Sequence, residues 1–166
     1  MSHPSYAIVI DTSVAQAAGT TENLTSRNCR ETLDKVQCGY QLALCKSLCI
    51  EWIKRRPEAK TRQWQLYASR YAVGWLTRMQ SQRKIRWINL SHEKEEVSED
   101  RHLIDLALHT DHRVVSRDKR ARGRFSKLAR QVDELRTIFW LNPDQMDVPD
   151  WLCRGAPEED AYRLGA

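Results

Sequence analysis

Five short apolar runs, separated by stretches with helical spacing, constrain this chain more than any other feature. Residues 6–10, 40–44, 84–90, 113–116 and 137–141 read as strands; the first, Tyr-Ala-Ile-Val-Ile, carries the β-branched residues of a buried one. Between them the spacing predicts helices over 27–36 with Ser26 as its cap, from a cap at Ser47 through Glu51 to Arg55, over 58–82, over 100–109 and over 119–135. Strands that alternate with helices in this way pair in parallel, because each crossover returns the chain to the same edge, and they place helices on both faces of the sheet. Asn142-Pro143 closes the last strand, and the tail from Pro149 reads as loop with a frayed terminal helix. At 166 residues the chain is long enough for one domain with a real core.

The strand ends carry the chemistry. The first run stops at Asp11-Thr12-Ser13, Asp100 opens the helix that has Leu103, Ile104, Ala107 and Leu108 on one stripe, and the run Val114-Val115-Ser116-Arg117 stops at Asp118. An acid just past a strand points into the crevice at the carboxyl edge of a parallel sheet, where such folds hold their ligands. Carboxylates gathered at one spot repel one another, and a divalent cation with a taste for hard oxygen ligands relieves that repulsion. A fourth acid should come from a helix between the first and third; Glu51, after the apolar run 42–49, is the best placed and Glu31 a weaker alternative. Each acid also has a plainer reading, since Asp100 and Asp118 each stand where a helix cap would. Asp105 is five residues from Asp100 and so lies on another face, and His92, His102, His109 and His112 read as surface or helix-end side chains.

Charge is segregated. Residues 54–86 hold ten basic residues against Glu58, and residues 113–130 hold eight against Asp118, so these two stretches contain 18 of the 27 basic residues. What is left is acidic on balance, a distribution that points to a polyanion held on one side. On the long helix Trp64, Tyr67, Tyr71 and Trp75 share a face, for which core packing is favoured over base stacking. No run approaches a membrane span, and the first residues lack the basic and apolar segments of a secretory signal. The five cysteines are odd in number and read as reduced thiols of a cytoplasmic protein; Cys45 and Cys49, one turn apart, lack the partners of a zinc site.

Together these motifs resemble the PIN-domain family, the VapC-like, PilT N-terminus-type ribonucleases. The match rests on Ile8-Val9-Ile10-Asp11-Thr12-Ser13, on Leu48-Cys49-Ile50-Glu51-Trp52, on the D-x-x-L-I-x-x-A-L pattern from Asp100 to Leu108, and on Val115-Ser116-Arg117-Asp118. The resemblance implies a three-layer α/β/α sandwich, a nuclease domain over 1–142 with the tail 143–166 packed on or extending it, and cleavage of single-stranded RNA with Mg²⁺ or Mn²⁺. Asp11, Glu51, Asp100 and Asp118 would be the acidic quartet that is both catalytic and metal-binding, and Ser116 an accessory residue. Lys119, Arg120, Arg122 and Arg124 would contact substrate phosphates. The implied roles are the toxin of a toxin–antitoxin pair, with an antitoxin protein as partner, or an RNA-processing or defence nuclease; many relatives are homodimers.

Other readings fare worse. A haloacid-dehalogenase-type phosphatase needs an acid at position 13, which is Ser, and a receiver domain needs an acidic pair at the first strand, where position 10 is Ile. A nucleotide hydrolase would show a Gly-rich phosphate loop. A nucleic-acid-binding module that keeps the fold without catalysis is the alternative from a different class.

Overall fold

The computed structural model describes residues 5–19, 23–54, 63–90 and 100–166, with the side chains of 54 and 63–69 outside the description. Five strands, β1 (Ala7–Ile10), β2 (Gln41–Leu44), β3 (Ile85–Trp87), β4 (Arg113–Val115) and β5 (Phe139–Leu141), form one sheet in the order β3-β2-β1-β4-β5. Every pairing is parallel, with Val9 aligned to Ala43 on one side and to Val114 on the other. The central strand β1 is buried along its whole length, so its apolar residues run without alternation, as a strand covered on both faces requires.

The crossovers are helical: α1 (Thr12–Ala17), α2 (Leu24–Gly39), α3 (Lys46–Lys54), α4 (Gln63–Ser81), α5 (Arg101–Leu108) and α6 (Lys119–Ala129). The chain steps from β1 to β2 to β3, then returns across the sheet to β4 and β5. With right-handed crossovers, that reversal puts α1–α4 on one face and α5 and α6 on the other, giving a three-layer α/β/α sandwich. The reversal also opens a crevice at the carboxyl ends of β1 and β4.

Several boundaries differ from those the sequence suggests. The second helix starts three residues before Arg27 because Asn23, not Ser26, is its cap: the Ser26 amide donates to Asn23 Oδ1 at 2.8 Å. The sixth helix ends at Ala129, and a separate 3₁₀ turn over Asp133–Thr137 leads into β5. The aromatic face of α4 is core where described: Trp75 is fully buried, stacks on Trp52 at 5.4 Å between centroids, and donates from Nε1 to the Leu33 carbonyl. Trp64 and Tyr67 lie outside the described side chains, as do Pro57 and the polar stretch 91–99 outside the described residues.

The tail is not frayed. A helix α7 (Val148–Cys153), capped by Asp147, packs on α2 and buries Trp151, while the Tyr40 hydroxyl donates to the Leu152 carbonyl and Leu164 is buried beyond it. Arg113, counted above as a cation for a polyanion, instead clamps this tail. Its guanidinium lies 3.9 Å over the Tyr6 ring and donates to the carbonyls of Ala156 and Asp111. Among the described residues no helix is long and apolar enough to cross a membrane.

Candidate active site

Asp11 directly follows β1, and its amide donates to the Val115 carbonyl, so the position is pinned by the sheet itself. Its side chain is almost wholly buried and surrounded by hydroxyls: Ser116 donates to Oδ2 at 2.7 Å and Ser13 to the same oxygen at 2.9 Å, with Thr12 at 3.3 Å from Oδ1. A buried carboxylate is tolerable when hydrogen bonds to the charged form replace water. The Thr12 hydroxyl also stands 3.4 Å from Glu51 Oε2, which links the acid of β1 to the acid of α3.

Ser116 directly follows β4 and is fully buried. While donating to Asp11 it accepts from the Asp118 amide at 3.1 Å, so one hydroxyl ties two of the acids together. The expected accessory position is therefore a junction. Asp118 caps α6, its Oδ1 accepting from the Ala121 amide at 2.9 Å. Capping uses one oxygen, and a carboxylate has two.

Asp11 and Asp100 occupy the cap positions of α1 and α5, yet neither side chain makes a cap bond. The plain capping explanation thus holds for Asp118 and fails for the other two. The Asp100 carboxyl is pushed above its ordinary value of 3.8, first by burial and then by the negative charges of Asp118 and Asp11; Arg124 and His102 oppose this without cancelling it. Asp100 is thus within electrostatic reach of two carboxylates remote from it in sequence.

Two cationic groups compensate. Arg124 Nη2 lies 2.6 Å from Asp100 Oδ2. His102, two residues beyond Asp100, is mostly buried with Nε2 3.3 Å from Glu51 Oε1, close enough for an ion pair though not aligned as a directed hydrogen bond. Burial lowers the affinity of that imidazole for its proton, but the contact with Glu51 and the charges of Asp11 and Asp100 outweigh it, and the His102 pKa is raised. Of the expectation that His102 is a surface or helix-end side chain, the helix-end part holds, in the first turn of α5, and the surface part is corrected; His109, exposed at the other end of α5, fits it, and His92 lies outside the described residues. His102, Thr12 and Ser13 are the members of this cluster that sequence reasoning missed. The adjacency of two hydroxyls to Asp11 was a signal for the latter pair, whereas nothing in the sequence joins residue 102 to residue 51.

The basic residues of α6 divide. Lys119, Arg120 and Arg124 are exposed, and Arg120 and Arg124 share a face one turn apart. Arg122, two residues from each, falls on the opposite side of the helix, where its Nε is buried.

Carboxylate oxygens are the donors that Mg²⁺ and Mn²⁺ favour, and the like-charge crowding at Asp100 is the strain a cation would relieve. In donor chemistry the residues fit. The coordination set is not closed: among the described residues no three Asp, Glu, His or Cys side chains are grouped so as to hold a metal ion, and Asp100 is paired with Arg124 and Glu51 with His102. Cys45 and Cys49 form no such group either. No disulfide joins any of the five cysteines, and burial pushes the Cys29 thiol up to about 12. No family model matches the chain, and no curated protein or solved structure matches it.

Proposed function

We propose that this protein is a metal-dependent endoribonuclease of PIN type that cuts single-stranded RNA. The observation that carries the reading is the Ser116 hydroxyl, which donates to Asp11 and accepts from the Asp118 amide while Asp100 responds to both charges. Acids from three separate elements are thereby directed to one crevice, and Thr12 extends the set to Glu51. Asp11, Glu51, Asp100 and Asp118 would hold Mg²⁺ or Mn²⁺, which supplies Lewis acidity and charge neutralisation for phosphoryl transfer. Ser116 and Ser13 keep Asp11 oriented. Arg124 balances Asp100, and Lys119 and Arg120 offer exposed cations at the mouth of the crevice for substrate phosphates, which position a strand without reading its bases.

The test is incubation of the purified chain with labelled single-stranded RNA, with Mn²⁺ or with chelator. Cleavage with Mn²⁺ alone, abolished in Asp11→Asn and Asp118→Asn, is expected, together with a Mn²⁺-induced rise in melting temperature that Asp11→Asn loses. Full cleavage by both variants would refute the assignment. The open coordination set favours one competing reading, a nucleic-acid-binding module without catalysis, and binding without cleavage under both conditions would select it. Within the nuclease reading, an antitoxin that covers the crevice, a homodimer and a cytoplasmic location are further proposals. Co-expression with the neighbouring reading frame tests the first.

A further inference from the structure

Trp87 is the last residue of β3, the edge strand, and is 49% exposed. The other tryptophans with described side chains, Trp52, Trp75, Trp140 and Trp151, are all buried. An indole carries the largest apolar surface of any side chain, so one left half in water stands out against four that are hidden. Its N–H is already engaged, donating to Asn89 Oδ1 at 3.2 Å. That bond restrains the ring and leaves its aromatic surface as what Trp87 has to offer a ligand.

Register fixes where that surface lies. Trp87 aligns with Leu44, and one step earlier Arg86 aligns with Ala43, which aligns with Val9. Trp87 therefore stands level with Ile10, the residue before Asp11, at the same carboxyl edge of the sheet and two strand spacings away, roughly 10 Å. Beyond the acids on the other side, α6 presents Lys119 and Arg120. Along one edge the order is an exposed indole, the carboxylates, then exposed cations. A ligand that uses both ends must be a polyanion that also carries flat aromatic groups with free faces. Single-stranded nucleic acid is that ligand, whereas a duplex keeps its bases stacked on one another.

We propose that Trp87 is a stacking platform for a nucleobase of the single-stranded substrate, set apart along the sheet edge from the acids that act on the phosphate. The proposal rests on the nucleic-acid reading of this edge and adds a base-contacting residue to it.

The experiment measures equilibrium binding by fluorescence anisotropy of a labelled oligouridylate to the full chain in chelator, so that no cleavage is needed. Trp87→Ala is expected to weaken binding about tenfold, the scale of one lost base stack. Trp87→Phe, which keeps an aromatic face, should bind closer to the unmutated chain. The oligonucleotide should also quench tryptophan fluorescence of the unmutated chain, and Trp87→Phe should remove that quench. Equal binding by folded Trp87→Ala would overturn the platform while leaving cleavage through Asp11 untouched. If Trp87→Ala does not fold, the Trp87→Phe quenching decides, and a quench that persists overturns the proposal. No binding by the unmutated chain overturns it as well. So would a dimer of the unmutated chain that Trp87→Ala converts to monomer, which would make Trp87 a contact between copies. Weakened binding by Trp87→Ala in a chain that never cleaves would keep the platform and discard the nuclease.

Discussion

Ser116→Ala isolates the junction on which the site depends. The hydroxyl is fully buried and makes two bonds, one to the Asp11 carboxylate at 2.7 Å and one from the Asp118 amide at 3.1 Å. A hydrogen bond to a charged group contributes about 1.5–3 kcal/mol, and a buried amide left without an acceptor costs about 1–3 kcal/mol. Asp11 keeps its bond from Ser13, and the Asp118 amide is only partly buried, so both terms belong near the low end. The expected loss is about 3 kcal/mol, or a fall in melting temperature of about 6–12 °C for a domain of this size. Ser13→Ala also removes two bonds, one to Asp11 at 2.9 Å and one from the Arg117 amide at 3.1 Å, but at a half-buried position where water can replace them, and should cost about 1–2 kcal/mol. The assay is urea denaturation of both variants at neutral pH in chelator, with an unchanged slope as the check that only stability moved. A Ser116→Ala loss below 0.5 kcal/mol on the scale of a surface substitution, or one smaller than that of Ser13→Ala, would refute the junction.

Three further outcomes are expected. NMR titration should place the His102 pKa above 6.5, and Glu51→Gln should bring it down, because burial alone pulls it below that value; no change on mutation would show that Glu51 does not hold the proton. Asp100→Asn should stabilise the metal-free protein at neutral pH. A carboxyl whose folded pKa is raised binds its proton more tightly in the folded state, so wild-type stability falls as pH rises from about 3.8 through the raised value, and the advantage of the variant should vanish at lower pH. A denaturation midpoint at pH 7 equal to or below that of wild type would count against the crowding. Arg113→Ala should destabilise by about 3–5 kcal/mol, since it leaves the Ala156 and Asp111 carbonyls without their donor and uncovers the Tyr6 ring, and calorimetry showing a loss under 1 kcal/mol would contradict the clamp.

Much of the site was legible because its signals are local. Asp11, Ser116 and Asp118 follow strands whose apolar runs can be counted, and the carboxyl edge of a parallel sheet is one place, so acids there converge whatever else the chain does. The cap alternatives for Asp100 and Asp118 could not be separated from that reading, since a cap and a ligand occupy the same position; the side-chain bonds show a cap at Asp118 and none at Asp100. Arg113 and Arg122 show the opposite failure. A count of cations along the chain treats all as exposed, yet one is buried under the tail and one turns its Nε inward.

By itself the order of residues determined the alternation of strand and helix, the parallel sheet and the acids at its carboxyl edge, because hydrophobic period and strand ends are written within a few consecutive residues. Tertiary structure alone decided that His102 faces Glu51, that Arg124 holds Asp100, that the tail is packed core and that Trp87 stays in water. The ion pairs join residues of different elements, and burial is a property of what lies opposite, so each depends on how the layers close on one another rather than on any neighbour in the chain.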